Sequence, residues 1–142
     1  MTTLRIMKLL FPATPIAIAA IGLALVISHT AANAGAPEIG KLNAAAVGVY
    51  GTLPGDESEK LYKHDEVFAN QLIETVRRAN AHIRFEDDTD LFIGESSAVT
   101  LDAFIYDPNV GTGEMVVEIG KGLFRFVTGE MPSEAYAVLT PS

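Results

Sequence analysis

Side chains able to act as nucleophiles, bases or metal ligands are few in this chain, and their spacing is poor. Of the three histidines, His29 lies in an apolar N-terminal segment, His64 in Lys63-His64-Asp65-Glu66, and His82 between Ala81 and Ile83. His64 and Asp65 could be paired as metal ligands, but neighbours on a strand point to opposite faces. There is no H-E-x-x-H or comparable ligand spacing. With no Cys, thiolate zinc sites, Cys nucleophiles, disulfides and Cys-linked lipids are all excluded. The densest acidic run is Glu86, Asp87, Asp88 and Asp90. A calcium loop needs spaced oxygens, a Gly at the sharp turn and a distal bidentate Glu; this run has the wrong spacing and no Gly, and reads as a solvated turn. Ser96, Ser97, Ser133 and Ser142 sit in no G-x-S-x-G elbow. Gly111-Thr112-Gly113 lacks the third Gly and the following helix of a phosphate loop, and reads as a hairpin loop. Nothing singles out two acids as a glycosidase pair. Phe104, Tyr106, Phe124, Phe126 and Tyr136 form an aromatic series. It reads as core unless several share an exposed face. These residues predict no catalytic group, no metal and no cofactor.

The elements that must position these residues begin with an address. Arg5 and Lys8 precede twelve apolar or glycine residues, Ile16 to Ile27, and then Ala32-Asn33-Ala34. A basic start, an apolar run and an A-x-A site make a secretory signal peptide, with signal peptidase cutting between Ala34 and Gly35. A spanning helix needs about 20 apolar residues; counting back to Leu9 crosses Pro12 and Pro15, which favours the cleaved signal over an anchor. The 49% hydrophobic content of the 142 residues is thus inflated by the first 34. All 18 acidic residues but only 8 of the 10 basic ones follow Ala34, so that segment carries a net charge of −10. A chain so acidic, with pI near 4.7, is unsuited to nucleic acid, which demands clustered Lys and Arg.

Residues 35–46 are small and polar and read as a flexible leader to one domain, 47–142. Val47 to Tyr50 is the first strand candidate, and Gly51 to Lys60 a turn or loop. Over Val67 to Ile83, the spacing of Phe68, Leu72, Val76, Ala79 and Ile83 predicts an amphipathic helix. The same stretch also divides into two β pieces, Asp65 to Thr75 and Ala79 to Phe85. From Phe85 onward short β runs alternate with turns. Ala98 to Tyr106 is expected to set Val99, Leu101, Ala103 and Ile105 on one face and Phe104 and Tyr106 on the other. Met115 to Ile119, Leu123 to Thr128 and Tyr136 to Leu139 follow. This rhythm predicts an all-β domain.

Phe85 to Ser142 resembles the FecR-domain family, in its exported, stand-alone alphaproteobacterial form. The matching stretches are Phe85-Glu-Asp-Asp-Thr-Asp-Leu-Phe-Ile-Gly94, Ser97-Ala-Val-Thr-Leu-Asp102, Phe104-Ile-Tyr-Asp-Pro108, Gly111-Thr-Gly-Glu-Met115, Lys121-Gly-Leu-Phe-Arg-Phe-Val-Thr-Gly129 and Thr140-Pro141. A weaker match reaches back through Asp65 to Thr75. The resemblance implies an all-β domain with a solenoid-like or twisted-sheet arrangement of short strands, and so strand and turn rather than helix over Val67 to Ile83. It implies structural roles for Asp87, Gly94, Leu101, Asp102, Tyr106, Asp107, Pro108, Gly122, Arg125, Phe126 and Gly129. Asp88 stands where the family prefers Gly, a position Asp tolerates in the left-handed region at some strain. The family usually continues past Thr-Pro into a strand and an Arg-Gly-containing segment, whereas this sequence stops at Ser142; where that segment pairs with an earlier strand, the expectation is either a truncated C-terminus or an open sheet edge that recruits a partner.

Family regulators relay a signal from an outer-membrane receptor to a sigma factor through a membrane span. Once its signal is cut, this chain is expected to lack that span. The resulting expectation is a non-enzymatic binding, signalling or scaffold module of the bacterial periplasm or envelope, meeting a protein or envelope component through a sheet edge or an aromatic face. The alternatives are a membrane-anchored sensor with an uncleaved N-terminal helix, and an envelope hydrolase using paired acids.

Overall fold

A computed structural model describes residues 35–141. Ala32 and Ala34 lie outside the described residues, as does the rest of the expected signal; Gly35 is the first residue described.

Eleven strands follow one another: β1 Glu38–Ala45, β2 Val49–Thr52, β3 Glu59–Leu61, β4 Glu66–Phe68, β5 Gln71–Thr75, β6 Ala81–Phe85, β7 Asp90–Ile93, β8 Ala98–Asp107, β9 Thr112–Lys121, β10 Phe124–Val127 and β11 Tyr136–Leu139. They form two sheets. The first runs β10-β7-β6-β1-β4 and the second β11-β9-β8-β5-β2-β3. Pairing is antiparallel except between β11 and β9. Ile39, Leu42, Ile83 and Leu91 of the first sheet share one core with Val49, Ile73, Val99, Leu101, Met115 and Val117 of the second. The all-β expectation holds, as two facing sheets of short strands. The only helical element among the described residues is a single 3-10 turn, Ser133–Ala135. Among the described residues no helix is long and apolar enough to cross a membrane.

Three expectations need correction. Residues 35–46 are no loose leader: β1 lies between β4 and β6, with Leu42 fully buried. Its register shifts twice against its neighbours, and these bulges hide the alternation that marks a strand. Second, the helical stripe over Val67 to Ile83 is spread over three strands and their turns. The buried side of β5 is Gln71, Ile73 and Thr75 rather than Leu72. Third, β8 changes face along its length. Its register against β9 slips between Thr100 and Ala103, so Val99 and Leu101 point inward with Phe104, while Ile105 is 66% exposed. Asp102 sits at the slip, exposed. A bulge exchanges the faces of every residue beyond it.

The two flanks of this pair of sheets differ. At one, β3 and β4 are three residues long and carry Glu59, Lys60 and Glu66. The chain between them folds back there, with His64 N–H donating to Leu42 O at 2.8 Å and Leu42 N–H donating to Asp65 O at 2.9 Å. At the other flank lie β10 and β11, apolar but for Arg125 and the hydroxyl of Tyr136.

Candidate functional site

The acidic turn after β6 carries a buried polar knot. Asp88 takes φ 63, the left-handed backbone expected where a Gly is usual. That turn directs Asp87 inward, where it is fully buried. Thr89 N–H donates to Asp87 Oδ1 at 3.1 Å. The Thr89 and Tyr136 hydroxyls donate to Oδ2, each at 2.7 Å. Gly129 N–H donates to Thr89 Oγ1 at 2.9 Å and to Tyr136 Oη at 3.0 Å, and Met131 N–H donates to Tyr136 Oη at 3.1 Å. A Cβ on Gly129 would fall on Asp87 O. Burial, with Asp87's carboxylate alongside, raises the Tyr136 pKa. Next to the knot, Tyr106 Oη donates to Glu130 Oε2 at 2.6 Å. Hydrogen bonding to that carboxylate, then desolvation, pushes the Tyr106 pKa up to about 12. Every buried side-chain polar atom among the described residues has a partner. With three hydrogen bonds accepted inside the fold, this carboxylate fastens the 128–135 segment to the β6–β7 turn.

A second knot joins the β7–β8 turn to the chain entering β10. Thr75 Oγ1 donates to Gly94 O at 2.6 Å and accepts from Ser97 N–H at 3.0 Å. Leu123 N–H donates to Ser97 Oγ at 3.1 Å, and Gly94 N–H donates to Leu123 O at 2.7 Å. Gly122, at φ +102, packs so closely on Ser97 that a Cβ would overlap its side chain. At the β8–β9 hairpin, Asn109 N–H donates to Asp107 Oδ1 at 2.9 Å across Pro108, a local Asx turn.

The outer face of the first sheet carries the charges. His82 Nε2 and Asp90 Oδ1 are 2.7 Å apart, and the His82 ring stacks on Phe92 with centroids 4.1 Å apart. Arg84 binds Asp88 at 2.8 Å and Asp90 at 3.3 Å. Lys41 lies 3.6 Å from Glu38 and 3.9 Å from Glu66. Arg125 lies 5.7 Å from the Phe92 ring centre, a cation–π contact. It has no carboxylate within ion-pair distance among the described residues, and its neighbour is an aromatic face. A shallow groove of about 580 Å³ beside it is lined by Ala44, Asn80, His82, Phe92, Leu123 and Arg125 among others.

The open flank completes the site. Phe124 and Phe126 of β10 pair with Ile93 and Leu91, both buried, so they share the inward side. Tyr136 and Val138 of β11 pair with Met115 and Val117 and also face inward. The Phe126 and Tyr136 rings meet across the sheets at 5.8 Å. Yet Phe124 is 37% exposed and Val138 38%, against 1% for each of their strand partners Ile93 and Val117. Leu123, Val127 and Leu139 add exposed apolar surface.

The positions singled out by resemblance are therefore distributed. Asp87, Tyr106, Phe126 and Gly129 gather in or beside the first knot, Gly94 and Gly122 in the second, and Leu101 is core. Asp107 and Pro108 form the hairpin turn, and Asp102 marks the bulge. His64, at φ 79 in an exposed turn, and His82 occupy different regions. Among the described residues no three His, Asp or Glu side chains are grouped to hold a metal ion. Sequence reasoning missed Thr89 and Tyr136 as partners of Asp87; the lone polar tip in the Tyr136 to Leu139 run was the available signal. It also missed the Thr75–Ser97 link, which local spacing does not show. Comparison with family models, with curated proteins and with solved structures finds no match to this chain.

Proposed function

We propose that this chain is an exported, FecR-like, non-enzymatic module of the bacterial periplasm or envelope that binds a protein component along its open flank. The observation that carries the reading is the pair of apolar edge strands, β10 and β11, whose inward side chains Phe124 and Val138 stay more than a third exposed. Monomeric proteins seldom leave contiguous apolar surface uncovered without an interaction to serve. Strand addition to a sheet edge uses main-chain hydrogen bonds for affinity and alternate side chains for specificity. The N-terminal signal pattern supports export. The buried polar groups support scaffolding, since the buried Asp87 carboxylate accepts three hydrogen bonds from within its own fold.

The test is site-specific cross-linking in cells that export the protein. A photo-reactive residue at Leu123 or Val138 is expected to capture a discrete envelope protein, and one at Glu57, in the β2–β3 loop, is not. Capture of nothing at the flank, or of the same products from all three positions, overturns the reading. Mass measurement of the exported protein checks the address, with loss of residues 1–34 as the expected outcome.

A further inference from the structure

Resting on that reading, we infer that β10 accepts an added antiparallel strand from a partner, one that is apolar on its inward side and carries a carboxylate opposite Arg125.

Geometry selects β10. It pairs with β7 without a register shift, and its four residues Phe-Arg-Phe-Val contain no Pro and no bulge, leaving Arg125 as the one charge that guards this edge. The edges of the opposite flank are short and charged. A strand laid beside β10 would cover the exposed side of Phe124 and lie over Val138 of the facing sheet. It would thereby close the core where it is now open.

Charge selects the occupant. On the outer face of this sheet Lys41 and Arg84 each lie near two carboxylates, those of Lys41 on its own and an adjoining strand, those of Arg84 on the β6–β7 turn and β7. Arg125 alone on that face has an aromatic ring on one side, Phe92, and an empty strand position on the other. Residues directly opposite across an antiparallel pair have Cβ atoms about 5 Å apart, so a Glu or Asp there meets the guanidinium. The surplus negative charge of the domain opposes an acidic partner at a distance. That field is screened beyond about 8 Å at physiological salt, whereas a cross-strand contact is not. A second copy of the chain fits worse. Two-fold pairing of β10 with itself sets Arg125 against Arg125 or against Val127, and it brings two strongly acidic domains together.

The test uses the exported protein and two fluorescent peptides, Val-Ser-Val-Glu-Val-Ser-Val and its counterpart with Lys at the centre, followed by polarisation. The Glu peptide is expected to bind about ten-fold more tightly than the Lys peptide, the combined effect of one attraction gained and one repulsion avoided. Arg125→Glu is expected to reverse the order and Arg125→Gln to abolish the difference, with both variants retaining the native β circular dichroism. Binding of neither peptide, equal binding of both, or a preference unchanged in Arg125→Glu overturns the inference. So does a dimer in sedimentation that excess peptide leaves intact. Flank cross-linking that persists while the peptides fail to discriminate would overturn this partner chemistry and leave the binding reading standing.

Discussion

Asp87 shows how much one buried carboxylate can hold. Its two oxygens accept three hydrogen bonds, and the groups that donate them also hold Gly129 and Met131. Asp87→Ala strands the Thr89 and Tyr136 hydroxyls and is expected to cost about 3 kcal/mol, because bonds to a charged acceptor and the penalty for orphaned donors are lost together. Tyr136→Phe removes one hydroxyl and is expected to cost about 1.5 kcal/mol. Urea unfolding midpoints check both. Tyr106 supplies a pH prediction. Its folded pKa, raised to about 12 from 10.0, means the unfolded chain ionises first on raising pH. Its stabilising contribution is complete below pH 10 and is lost between pH 10 and about pH 12. The alkaline unfolding limb of Tyr106→Phe should therefore be shallower than that of the native protein. Part of this was legible in residue types. The turn at Glu86 to Asp90 follows from its residue types, and the left-handed backbone at Asp88 follows from the resemblance, which sets it where a Gly is usual. The link from Asp87 to Tyr136 was not, because it joins residues 49 apart in sequence and only the fold brings them together.

Elements were legible where alternation was intact and illegible where bulges or polar core residues broke it. β7, β9, β10 and β11 follow their apolar runs. β1 was lost because Gly40, Asn43 and Ala44 interrupt its pattern, although Ile39 and Leu42 are core. β5 resembled a helix because its buried side is written Gln-Ile-Thr, and both polar members are satisfied internally, Gln71 by Phe68 N–H and Thr75 by Gly94 and Ser97. β8 kept its alternation but changed face at a bulge that no residue type announces. The reassignment of β1 makes a firm prediction. Leu42→Ala should cost about 3 kcal/mol, the range of a large-to-small change at a buried site, and deletion of residues 35–46 should abolish cooperative unfolding. A true leader would leave both measurements unchanged. At the β9–β10 turn, Gly122→Ala combines a positive φ with overlap on Ser97 and should cost about 3 kcal/mol. Gly55→Ala, with φ +87 in open space, should cost about 1 kcal/mol.

At the scale of the whole molecule, charge and exposed apolar surface are unevenly placed. The ion pairs given above lie on the outer face of the first sheet, and the exposed apolar side chains of β10 and β11 gather at one flank. Salt acts on this arrangement in two opposing ways. Screening weakens the local pairs around Lys41 and Arg84, whose partners are all at least partly exposed. Such pairs contribute about 0–1 kcal/mol each. Screening also relieves the mutual repulsion of 18 acidic side chains set against 8 basic ones after Ala34, a term that destabilises the compact state as a whole. Ten acids remain unmatched in charge, and repulsion among them extends over the entire surface. The second effect should therefore win between about 10 mM salt, where charges act over about 30 Å, and about 150 mM, where they act over about 8 Å. The urea midpoint is expected to rise over that range. Arg84→Gln, which deletes the cation shared by Asp88 and Asp90, should steepen the rise. A midpoint that falls with added salt would show that the outer-face pairs outweigh the net charge.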